Sequence, residues 1–134
     1  MTTDSAAALQ RCVIHSRQYL ENGLDALQNG EAGKAGELLW GSVAQAVYAV
    51  AVFRNTSVQT HRELKNFVIQ LARDLSDQSI EKDFIIAESL HHNFYEVQQE
   101  PEDIVIVVPT VRGLVGKLIK LIPPEAARQA ISPL

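Results

Sequence analysis

An all-α domain, a four- to five-helix antiparallel up-and-down bundle, is what this sequence predicts, and three observations predict it. The stretch Leu38 to Phe53, LLWGSVAQAVYAVAVF, has only Gly41, Ser42 and Gln45 outside the apolar set. Its second half is apolar all round, so it must be covered on every side, because exposing apolar surface costs about 25 cal/mol per Å². Apolar residues elsewhere recur at steps of three and four, and nothing alternates with the two-residue period of a half-buried strand. Finally, 134 residues broken by only seven glycines and five prolines make one domain, 1–134, able to bury a core without a disulfide or structural metal. The core is expected over about 5–122, with 123–134 as a short tail.

Taken in order, Ser5 to Asn29 places Leu9, Val13, Ser16, Leu20, Leu24 and Leu27 on one helical face. Asp4 or Ser5 can cap it, and Asn29-Gly30 supplies the left-handed residue that ends it. The short connection makes the first two helices an antiparallel hairpin. Gly33 and Gly36 weaken the start of the second helix, whose core section should begin near Glu37. Arg54 to Gln59 is polar and aperiodic, a loop. Thr60-His61-Arg62-Glu63 then has the capping-box pattern, opening a third helix whose face is Leu64, Phe67, Val68, Leu71 and Leu75. A fourth helix, about Ile80 to Val97, puts Ile80, Phe84, Ala87, Leu90 and Phe94 on one face, with His91 inside that stripe and Glu88, His92 and Glu96 outside it.

The run Ile104-Val105-Ile106-Val107-Val108 has strand propensity, yet Ile104, Val108, Val111, Val115, Leu118 and Ile122 form one helical stripe through Pro109. One kinked helix is therefore expected, opened by Pro101 with Glu102 and Asp103 at its positive end and closed by Pro123-Pro124.

The formal net charge of −4 gives no diffuse attraction to nucleic acid, so such contact needs a local patch. The single Cys12 makes no internal disulfide, and Met1-Thr2-Thr3-Asp4 has no export character, so a cytoplasmic location is expected. Leu38 to Phe53 falls short of the roughly 20 apolar residues that cross a bilayer, and no membrane span is expected.

Each chemical candidate has a plainer alternative. Glu88-Ser89-Leu90-His91 has the Glu-x-x-His spacing of di-iron bundles, but it occurs once and its two side chains diverge by about 60° on the helix. No metal and no cofactor are assigned. The plainer reading makes His91 a core histidine bonded to a neighbour, with Glu88, His92 and Glu96 as surface pairs. Cys12 and His15 lack the third group that an activated nucleophile needs, and Cys12 reads as a small buried apolar residue. Arg112, Lys117 and Lys120 form a modest basic face on the last helix.

The runs Gly36-Glu37-Leu38-Leu39-Trp40-Gly41-Ser42-Val43-Ala44-Gln45-Ala46-Val47 and Ala87-Glu88-Ser89-Leu90-His91-His92-Asn93-Phe94-Tyr95-Glu96, together with His61 and Leu64, resemble the PaREP group of HEPN-type helical domains. The resemblance covers most of the chain. It implies a bundle, commonly dimeric, from a superfamily in which many members are metal-independent ribonucleases of toxin or defence systems. There an Arg-x(4–6)-His motif near the fourth helix supplies a phosphate-binding guanidinium and a proton-transferring imidazole. This chain departs from it, because no Arg lies four to six residues before His91 or His92, the nearest upstream being Arg73. Arg54 and His61 have the spacing, but they lie between the second and third helices.

The expectation is therefore a non-catalytic HEPN-like homodimer that binds RNA, a nucleotide or a protein partner through Glu88, His91, His92, Asn93 and Tyr95. The alternative is a metal-independent ribonuclease using those residues, with Lys117 or Lys120 in place of the missing Arg. A further alternative, a tetratricopeptide-like hairpin at Leu24 to Glu31, lacks the repeat of about 34 residues that such arrays show. The dimer is expected from the apolar girdle of the second helix and the stripe from Ile104 to Ile122.

Overall fold

The computed structural model describes residues 1–96 and 100–126, and of residues 93–96 the backbone alone. Five long helices follow one another, α1 (Thr3–Gln28), α2 (Ala32–Phe53), α3 (His61–Asp74), α4 (Gln78–Glu96) and α5 (Pro101–Lys120), and no strand occurs among the described residues. The all-α bundle is thus observed, and the β-branched run belongs to α5, which continues through the exposed Pro109. A strand could not form there for want of a partner edge.

α2 is the centre. Leu39, Val43, Ala46, Val47, Ala49 and Val50 are wholly buried, and Leu38, Gln45, Tyr48 and Val52, which share one side of the helix, are half-buried. The apolar girdle from which a dimer is expected is thus closed within the chain on most of its circumference and only half-buried along one side, while the α5 stripe is buried at Ile104, Val111, Val115 and Leu118. α2 is also longer than its apolar run suggests: it is helical from Ala32, with Ala35 fully buried and Gly36 buried, because tertiary packing overrides the weak glycine propensity. At 22 residues it has the length and composition to cross a membrane, but 61% of the qualifying window is buried inside the bundle, as in a core helix.

α1 lies antiparallel on α2 at close range. Ser16 Oγ donates to the Ser42 carbonyl at 2.8 Å and Ser42 Oγ to the Ser16 carbonyl at 2.7 Å, so two buried hydroxyls are satisfied reciprocally. One turn away Gly41 faces Tyr19, where an added Cβ would come within 3.1 Å of the ring. The cap of α1 is Thr2 rather than Asp4 or Ser5, and Gly30, at φ +78°, turns the chain as expected.

Three helices end in the same way. After α1, α2 and α3 the residues Gly30, Asn55 and Ser76 are left-handed, and the next amide reaches back to Ala26, Ala51 and Ala72 respectively, the Schellman arrangement.

The connection between α2 and α3 breaks the simple alternation of directions. Arg54, just past α2, pairs with Asp74 at the far end of α3, while His61, at the start of α3, sits against Trp40 near the start of α2. Residues 54–60 therefore run back along α3, over a groove lined by Phe53, Val58, Phe67 and Leu71, and α3 lies parallel to α2. α4 returns antiparallel and α5 reverses again. At the lower end Lys117 Nζ of α5 donates at 2.8 Å to both Asp77 Oδ2 and Ser79 Oγ, clasping the N-terminus of α4.

Two outcomes test these features. Hydrogen bonds from Lys117 and then Ser79 hold the Asp77 carboxyl below its ordinary value near 3.8. A depressed folded value means that the contribution to stability is present above the unfolded value and is lost as pH falls through the folded one, so the clasp fails only in acid below the usual carboxylate range. NMR titration of the Asp77 carboxyl should show it below 3.8, moving back toward that value in Lys117→Met. Ser76 at φ +51° carries a Cβ in left-handed backbone, so Ser76→Gly should raise unfolding stability in urea by about 1 kcal/mol.

Candidate functional site

The parallel course of α3 brings together side chains that are far apart in sequence. Thr60 caps α3 through its side chain and Glu63 returns the bond to the Thr60 amide at 3.0 Å, so the first helical residue, His61, is fixed beside Trp40. Trp40, only 8% exposed, forms the floor. Its indole lies 5.9 Å from the His61 ring and 5.9 Å from the His91 ring, near parallel to the latter at 26°, while Phe84 supports it edge-on at 5.4 Å. His92 completes the group, its ring 6.5 Å from His61 and 5.9 Å from His91.

Two carboxylates orient two of these rings. His61 Nε2 meets Glu88 Oε2 at 2.5 Å, and His91 Nδ1 meets Glu37 Oε1 at 2.9 Å. A ring nitrogen facing a carboxylate carries the proton, so neutral His61 is the Nε2–H tautomer and keeps its lone pair on Nδ1, in a side chain about half exposed. Glu88 is buried and shared: its other oxygen lies 3.7 Å from Lys65 Nζ, one turn along α3. The site thus draws on three helices: Glu37 and Trp40 from α2, His61 and Lys65 from α3, and Glu88, His91 and His92 from α4.

Several expectations change here. Glu88 is not a surface partner of His92. It is buried, because α3 covers the sector of α4 outside the apolar stripe, and it holds His61 and Lys65 instead. Glu88 and His91 do not act as a Glu-x-x-His pair, since each bonds to a different neighbouring helix. No group of three or more His, Cys, Asp or Glu among the described residues is placed to hold a metal ion. His91 is half-buried and bonded to a neighbour, as the plainer reading has it, and His92 is exposed. The side chains of Asn93 and Tyr95 lie outside the described residues.

Lys117 cannot stand in for an arginine at these histidines. It is bound to Asp77 and Ser79, and Ser79 lies twelve residues before His91 on α4, about 18 Å along the axis. Arg54 is equally remote from His61, because it contacts Asp74 at the opposite end of α3. Cys12 is half-buried, and burial pushes its thiol up, away from the reactive thiolate.

Sequence reasoning missed His61, Lys65, Glu37 and Trp40 as site residues. Two signals were present: Glu37 and Trp40 sit at the edge of an otherwise apolar helix, and His61 is fixed by a strong capping box.

Glu88→Gln should separate orientation from packing. It leaves the shape but removes the charge that His61 and Lys65 share, and both are substantially exposed, so solvent screening limits the stability loss to about 1 kcal/mol in urea unfolding. ¹⁵N shifts of the imidazole should show one Nε2–H tautomer of His61 in the parent and a mixture in Glu88→Gln. A single unchanged tautomer would mean that Glu88 does not orient the ring.

No curated protein matches the chain. Residues 11–115, which carry most of α1, all of α2 to α4, most of α5 and every member of the Trp40 site, match a protein-family model. The chain belongs to the archaeal PaREP1/PaREP8 family.

Proposed function

We propose that this protein is a HEPN-type helical domain that binds single-stranded RNA or a nucleotide at the Trp40 site. The observation that carries the reading is the gathering of His61 and His91 against one indole, each held by a carboxylate, Glu88 or Glu37, with His92 beside both rings. Imidazoles are donors to phosphate oxygens when protonated, and orienting them in advance lowers the ordering entropy that a flexible basic surface would lose on binding. The overall charge of −4 opposes a polyanion, so this reading confines contact to the rim around His61, Lys65 and His92 rather than a broad basic face. As a further part of the proposal, the domain pairs as a homodimer through the exposed Val105 and Ile106 of α5.

A second reading, a metal-independent ribonuclease, is favoured by one specific feature. Two imidazoles, each backed by a carboxylate, lie with ring centres 6.5 Å apart. One can take the proton of a ribose 2′-hydroxyl while the other gives a proton to the leaving 5′-oxygen, forming a 2′,3′-cyclic phosphate.

One experiment tests both readings. A labelled single-stranded RNA is incubated with the protein in EDTA, following binding by anisotropy and cleavage on a gel, alongside His61→Ala and His91→Ala. Binding without cleavage, weakened about tenfold or more by His61→Ala, supports the binding module. Cleavage lost in both variants supports the ribonuclease. Neither binding nor cleavage, or binding indifferent to both substitutions, overturns the assignment of this site.

A further inference from the structure

The Trp40 site carries both signs of charge in titratable and fixed form, and its balance depends on protons. Among the described residues, the charged and titratable groups meeting there are Glu37 from α2, His61 and Lys65 from α3, and Glu88, His91 and His92 from α4. With the imidazoles neutral, two carboxylates outweigh one ammonium and these six side chains are together negative by one charge. With all three protonated it is positive by two. Histidine is the side chain whose charge ordinarily changes between pH 5 and 8.

We propose that this site is a proton-linked oxyanion site: it takes a phosphate- or sulfate-type group when its histidines are protonated and releases it when they are neutral. The proposal rests on the binding reading above and specifies its control. Geometry supports it at His61. The Nε2–H stays on Glu88 in both protonation states, so uptake of a proton at Nδ1 adds a second donor without breaking the bond that positions the ring. The half-exposed His61 and the exposed His92 place that donor and a second one at the rim, and the Trp40 face beneath His91 is a favourable surface for a cationic ring. Glu88 and Glu37 supply the opposing charge that repels an anion once the protons leave. A site lined by lysine or arginine alone would bind at either pH.

Sulfate and a uridylate hexamer are suitable probes, because neither changes charge between pH 6 and pH 8, and Trp40, the single tryptophan, reports binding by fluorescence. Falling pH also reduces the protein's overall negative charge, so a control is needed. His15, the one histidine outside the cluster, stacks on Tyr19 in α1 and provides it. Affinity for both probes at constant ionic strength should rise about tenfold from pH 8 to pH 6 in the parent and in His15→Gln, and less than about twofold in His61→Gln and His92→Gln. His92 is exposed, so the second variant keeps the test valid should the first fold poorly.

Binding that does not change with pH overturns the proton linkage and leaves the binding reading standing. A dependence that survives in both His61→Gln and His92→Gln, or that is lost in His15→Gln, also overturns it. Sulfate bound in the expected pH-dependent way while the hexamer is not bound supports the oxyanion site and overturns the RNA reading. Neither probe bound at either pH overturns both.

Discussion

Burial of α2 around most of its circumference is the constraint from which the arrangement follows. A helix this apolar needs neighbours around most of its girth, and α1 on one flank leaves the rest to α3, α4 and α5. An alternating hairpin order would set α3 antiparallel to α2. The chain instead crosses back along the bundle before α3 begins, so α3 descends beside α2 with its N-terminus at the upper end. The same reversal gives α4 its upward course and brings the C-terminal half of α4 level with Trp40.

The polar site is a product of that crossing. Glu37 and Trp40 mark where the apolar helix gives way to polar sequence, and His61 and Glu88 meet there because α3 starts, and α4 nears its end, at the same height. A buried carboxylate is costly unless its charge is met, and Glu88 is met by a ring nitrogen and an ammonium from one helix. This pairing fixes the axial position of α3 against α4, which apolar contacts alone specify less sharply. The clasp of Lys117 with Asp77 and Ser79 does the same for α4 and α5 at the other end.

Much of the fold was legible in residue spacing. The apolar steps of α1, the capping box at Thr60 and the stripe running through Pro109 each report local periodicity, which survives into the structure with shifts of a residue or two at the ends. What the spacing could not convey is which neighbour covers which sector. Projection of α4 placed Glu88 on the outside because α4 alone does not reveal that α3 lies over it. His61 was discounted for the same reason: its relation to His91 depends on the direction of α3, and that direction is set by a loop without periodicity.

The crossing segment has a bearing on how the chain tolerates length changes. After Asn55 turns left-handed, residues 56–60 have to return alongside a helix about 20 Å long, close to the reach of so short a stretch when extended. A strap that taut accepts added residues, which bulge into solvent at little entropic penalty. Removing even two would drag the start of α3 down the bundle and lift His61 off the indole, so among natural relatives this segment should lengthen freely and almost never shorten.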